Sequence, residues 1–119
     1  MPAMLSHALL VLTLWLGLGW AAAGHAQTTP APLPAFTITI KDGVFTPRHL
    51  EVPAGRRLKL VLRNEGPGPL EFENAEMNIE KILAANAQSF VVLPRLAPGE
   101  YEFVDEFNMV TGVLTLIAQ

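Results

Sequence analysis

The chain has 119 residues, eight Lys or Arg against eleven Asp or Glu, a formal charge of −3 and no cysteine. That balance gives no basic footprint for nucleic acid, and the lack of cysteine removes disulfides, thiolate nucleophiles and thiolate metal ligands alike. No charged side chain precedes Lys41, so the first third differs in kind from the rest.

Ala8 to Trp20 is an apolar run of about 13 residues, followed by small residues from Ala21 to Ala26 that end in the cleavable tripeptide Gly24-His25-Ala26. The run is short of the roughly 20 residues that span a bilayer, so residues 1–26 read as a secretory signal peptide, with an uncleaved N-terminal anchor as the alternative. Residues 27–35, with three prolines and two threonines, read as an extended linker. The remaining 36–119 is expected to form one small domain, placed outside the cytoplasm.

Strand patterning fills that domain. Phe36, Ile38 and Ile40 alternate with Thr37, Thr39 and Lys41 before the Asp42-Gly43 turn. Leu50 to Val52 predicts a short strand, and Arg57 to Arg63 another, with Leu58, Leu60 and Leu62 on one face and basic residues on the other. Asn64 to Pro69 holds two prolines and two glycines and reads as a loop. Leu70 to Glu73 is predicted as a strand; Met77 to Leu83 fits one helical face through Ile79, Ile82 and Leu83 or strand alternation through Met77, Ile79 and Leu83, and is read as a strand. Further strands are predicted at Ser89 to Leu93, Glu100 to Asp105 and Gly112 to Ala118. The spacing of the last two assigns Tyr101 and Phe103 inward and Glu100 and Glu102 to solvent. Many short strands with turn signals predict an all-β sandwich.

Val44-Phe45-Thr46-Pro47, Leu50-Glu51-Val52-Pro53-Ala54-Gly55 and Leu60-Val61-Leu62-Arg63-Asn64 resemble the opening of a cupredoxin domain. Leu96-Ala97-Pro98-Gly99-Glu100-Tyr101-Glu102-Phe103 is similar to the strand that leads into the metal loop of that family. The resemblance implies a cupredoxin-like Greek-key β-sandwich. It also locates the family's ligand positions, a first histidine near Leu70 or Glu71, a cysteine at Asp105 and a second histidine at Asn108, with Met109 nearby. A blue-copper centre needs a thiolate, so no type 1 copper is expected.

Glu71-Phe72-Glu73, Glu80-Lys81 and Asp105-Glu106-Phe107 resemble most closely the periplasmic cupredoxin-like proteins found with bacterial ferrous-iron uptake permeases, although Asn108 stands where that subgroup carries a histidine. What this resemblance implies is an exported accessory in iron or copper handling, with a membrane permease or another periplasmic uptake component as partner. Oxidation of ferrous iron is the one enzymatic role it suggests, since no nucleophile elbow or phosphate-cradling motif occurs.

Eight of the eleven acids fall between Glu71 and Glu106. Carboxylates suit hard cations, and the Glu71 to Met77 and Asp105 to Met109 segments are expected to meet at one end of the sandwich. Glu71, Glu73, Asp105, Glu106, Asn108 and Met109 are therefore the candidate metal-binding residues, against the plainer reading that such charges are solvated. Met77 and Met109 with Asn108 would make a weak Cu(I) site, against the plainer reading that methionines fill core gaps. His49 is expected on a strand surface away from the metal end. Tyr101 is expected near a strand corner, with its hydroxyl bonded back to the loop. A metal-free interaction module of the same fold, docking on a periplasmic or membrane partner, is the competing reading.

Overall fold

Alternation of large aliphatic and polar residues is realised as nine strands in a computed structural model that describes residues 19, 21, 23–25 and 29–119. Residues 1–26, expected from the sequence to be a signal peptide, lie mostly outside the described residues. Among the described residues no helix is long and apolar enough to cross a membrane.

The strands are β1 (Ala35–Lys41), β2 (Val44–Thr46), β3 (His49–Val52), β4 (Leu58–Asn64), β5 (Leu70–Asn74), β6 (Ile79–Leu83), β7 (Gln88–Leu93), β8 (Gly99–Asp105) and β9 (Val113–Ala118). They form a four-stranded sheet in the order β2-β1-β4-β7 and a five-stranded sheet in the order β3-β9-β8-β5-β6. Most neighbours are antiparallel, but β1 runs parallel to β4 and β3 parallel to β9. The expected all-β sandwich is present. Val44–Thr46 is a strand that the sequence reading passed over.

Period-two alternation places one face of each sheet in the core. Ile38 and Ile40 of β1, Leu58, Leu60 and Leu62 of β4, Phe72 of β5, Phe103 of β8 and Leu114 and Leu116 of β9 are all buried. The Phe72 ring stacks on Phe103 at 4.8 Å between centroids and meets Phe45 edge-on at 5.9 Å, which ties the sheets together at their centre. Every core residue falls within the unit Ala31–Gln119.

Two buried asparagines pin the connections. Asn64 donates to the carbonyls of Gly68, Ala84 and Leu83 and accepts from the Gly66 N–H, so the Pro/Gly-rich loop is held by a single side chain. Asn74 donates to the Glu102 carbonyl at 2.8 Å and accepts from the Met77 N–H at 2.9 Å, closing the turn from β5 to β6. The Tyr101 hydroxyl donates to the Ala97 carbonyl at 2.8 Å, as expected of a tyrosine at a strand corner.

Candidate functional site

Asp105 is the last residue of β8, and the alternation that buries Phe103 also turns its carboxylate inward, leaving it 1% exposed. A buried carboxylate needs donors. Its Oδ1 accepts from the backbone N–H groups of Glu71 and Phe107, each at 3.1 Å, and its Oδ2 accepts from Asn108 Nδ2 at 2.9 Å. Asp105 thereby caps the 3-10 turn Glu106–Asn108 and fastens it to β5.

Glycines make room for this arrangement. A side chain at Gly112 would bring its Cβ within 2.7 Å of the Asp105 Cβ and 2.9 Å of the Asn108 carbonyl oxygen. Gly43, at φ +70°, lies against Asn108, where a Cβ would stand 2.5 Å from Cγ. The Asp105 N–H donates to the Gly112 carbonyl and the Gly112 N–H to the Asn108 carbonyl, so the loop closes on itself.

The glutamates behave differently. Glu71 and Glu73 leave β5 on the face opposite Phe72 and are half-buried; Glu80 of β6 lies directly across from Glu73, and Glu106 begins the turn. A hydrogen bond shared with the Glu106 carboxyl, then partial burial and the charges of Glu106, Glu80 and Glu71, push the Glu73 carboxyl up to about 7. Partial burial, a hydrogen bond with Glu80 and the charges of Glu106, Glu80 and Asp105 raise Glu71 as well. Four carboxyl groups thus gather where β5, β6 and the 3-10 turn meet.

The six candidate residues are divided by this geometry. Glu73, Glu106 and Met109 line an open cleft of about 510 Å³, together with Glu76, Glu100 and Glu102. Asp105 and Asn108 line a second hollow of about 280 Å³, with Gly43 and the Gly66–Pro69 loop. Glu71 connects them, its backbone N–H bonded to Asp105 and its carboxyl to Glu80. Among the described residues, no three His, Cys, Asp or Glu side chains are arranged to enclose a metal ion.

Three placements differ from expectation. Met77, expected to begin a strand and to approach Met109, lies in the turn between β5 and β6, packs against the core and does not line the cleft that Met109 reaches. Because β3 runs parallel to β9, His49 sits at the same end as the Asp105 loop, in a shallow hollow with Val110 and Thr111. Glu80 joins the acidic group although it was not among the candidates. Its position opposite Glu73 depends on hairpin register, and the period-two pattern of 79–83 was the available signal.

Comparison with known proteins agrees with this architecture. An uncharacterised protein of Rickettsia prowazekii (strain Madrid E) is 35% identical over 75 residues, which cover 63% of this chain and 60% of that relative. The Cu(I)-bound metal-binding domain of the Cu(I)-exporting P-type ATPase CopA of Streptococcus pneumoniae superposes with a TM-score of 0.61 at 14% identity, covering 71% of this chain and 84% of that one. Auracyanin B gives 0.62 at 16% identity, covering 77% and 93%. At these identities the structural likeness speaks for the fold alone. The cupredoxin-like domain family matches residues 8–116, nearly the whole sequence, and the chain belongs to that family.

Proposed function

We propose that this protein is an exported, periplasmic accessory of the cupredoxin-like family that binds a metal ion through surface carboxylates. Its role would lie in iron, or alternatively copper, handling beside a membrane permease. The observation that carries this reading is the crowding of Glu71, Glu73, Glu80 and Glu106, in which the neighbouring carboxyls raise the proton affinity of Glu71 and Glu73. A cation displaces the shared protons and neutralises the charges that repel, as a hard divalent ion does at any oxygen-rich site. Carboxylate donors favour iron or manganese, with Met109 the only soft donor in the cleft. The structural neighbour from the CopA exporter, described with bound Cu(I), supports metal handling as a use of this fold.

The residues do not fit a type 1 copper centre. The sequence has no cysteine, and at the position to which the resemblance assigns that ligand, Asp105 has its oxygens occupied by three N–H donors. That occupancy also favours the competing reading, a metal-free module in which Asp105 has become a structural element.

Calorimetric titration with anaerobic Fe(II), Mn(II), Cu(II) and Cu(I), repeated as thermal melts, separates the two. One saturable site with a rising melting temperature, lost in the Glu73→Gln/Glu106→Gln variant, is the expected result. Indifference to all four ions refutes metal handling and leaves the interaction module. Export is tested by cell fractionation, with a mature N-terminus at Gln27 expected.

A further inference from the structure

The outer faces of the two sheets carry opposite charge. On the four-stranded sheet, strand register puts Thr37, Thr39 and Lys41 of β1 on one surface with Lys59, Val61 and Arg63 of β4 and Phe90 of β7. The strand positions of that surface include no carboxylate. Phe90, on the edge strand β7, is 50% exposed, and Lys59 Nζ of the neighbouring β4 lies 4.2 Å from its ring centroid, so an exposed aromatic side chain stands beside the basic positions of this face.

On the five-stranded sheet, register aligns Glu51 of β3 with Ile117 of β9 and Glu100 of β8, Glu102 with Thr115, Val104 with Glu73, and Glu73 with Glu80. Glu71 and Ile82 complete that surface, and Ile82 is 61% exposed. It carries six strand glutamates and no Lys or Arg. Each face thus has apolar residues among charges of one sign, and the two lie on opposite sides of the sandwich, where no chain can satisfy its own complement.

We infer that the Phe90 face of one copy docks on the glutamate face of a second copy, giving weak head-to-tail self-association. Aromatic residues and Arg favour the centre of protein interfaces, and opposing potentials set the orientation. The contact is heterologous, so it leaves a free face of each sign and does not close by itself. A face of four strands and five or six residues offers roughly 400 Å², about half of what each partner buries in a stable complex, so the association depends on concentration and salt.

The test is sedimentation of residues 31–119, which contain the whole core, at ionic strengths of about 10 mM and about 1 M, where the Debye length falls from about 30 Å to about 3 Å. The weight-average mass should rise with concentration at low salt and return to that of a monomer at high salt. Lys59→Glu/Arg63→Glu and Glu100→Lys/Glu102→Lys should each stay monomeric in metal-free protein. Mixed together, each retains one intact face, so the mass should rise again and stop at twice the monomer. A monomer under all conditions overturns the inference, as does association that either reversal leaves unchanged. So does a monomer that instead floats with phosphatidylglycerol vesicles, which would assign the basic face to a lipid surface. A chelator is present throughout, since Glu100 and Glu102 line the same cleft as Glu73 and Glu106, so the association is read apart from metal binding.

Discussion

Asp105 adjoins Glu106 in the chain and ends the strand that pairs with that of Glu73, yet the same functional group does opposite work in the two places. Buried Asp105 accepts from three N–H donors and organises the loop around it, whereas the more exposed Glu73 faces other carboxyls and holds a proton that an isolated glutamate would release. An acid in a family's ligand position is therefore judged by its partners. Asp105 is already satisfied, while the glutamates are the group to which the proposal of metal binding applies.

The largest effect expected on that contrast is from Asp105→Ala. It leaves the Glu71 and Phe107 N–H groups and the Asn108 amide without an acceptor, and urea denaturation should record a loss of about 3 kcal/mol. A loss below that of a typical surface substitution would deny Asp105 its structural role. Gly112→Ala attacks the same loop through packing, since its Cβ meets the Asp105 Cβ and the Asn108 carbonyl oxygen, and should cost about 2 kcal/mol in the same assay.

The glutamates predict a pH effect of particular sign. Between 4.5, the ordinary value, and about 7, folded Glu73 retains a proton that the unfolded chain has released. The resulting stability is fully present below pH 4.5 and is lost as pH rises through about 7. Metal-free protein should therefore melt at a lower temperature at pH 8 than at pH 5, and Glu73→Gln/Glu106→Gln should flatten that slope. A slope unchanged by the variant would show that the pair is not its source. The smallest effect expected is from Tyr101→Phe, which removes the hydroxyl bond to Ala97 and should cost about 1 kcal/mol in thermal unfolding, with no change in the slope with pH.

Much of the fold was legible because alternation was strong wherever a strand had one buried face, as in Leu58-Leu60-Leu62 and Tyr101-Phe103. Val44–Thr46 escaped notice because three residues between a turn and Pro47 are too few to display a period. The site was less legible. Asp105 is a candidate ligand in sequence because carboxylates suit hard cations and its segment was expected to meet Glu71 to Met77, and the inward turn at the end of β8 that buries it shows only in the structure. Glu80 and His49 depended on which strands are neighbours and in which direction they run, information that no local pattern contains.

The placement of β9 has a consequence for how the molecule is made. Val113–Ala118 lies between β3 and β8, and β3 has no other neighbour in its sheet. The five-stranded layer therefore waits for β9 before its early strand can be stitched in. With pairing this remote in sequence, acquisition of the native state is expected to be slow. Until β9 is in place, β3 presents a row of backbone groups with nothing to pair with, and its part of the layer cannot close.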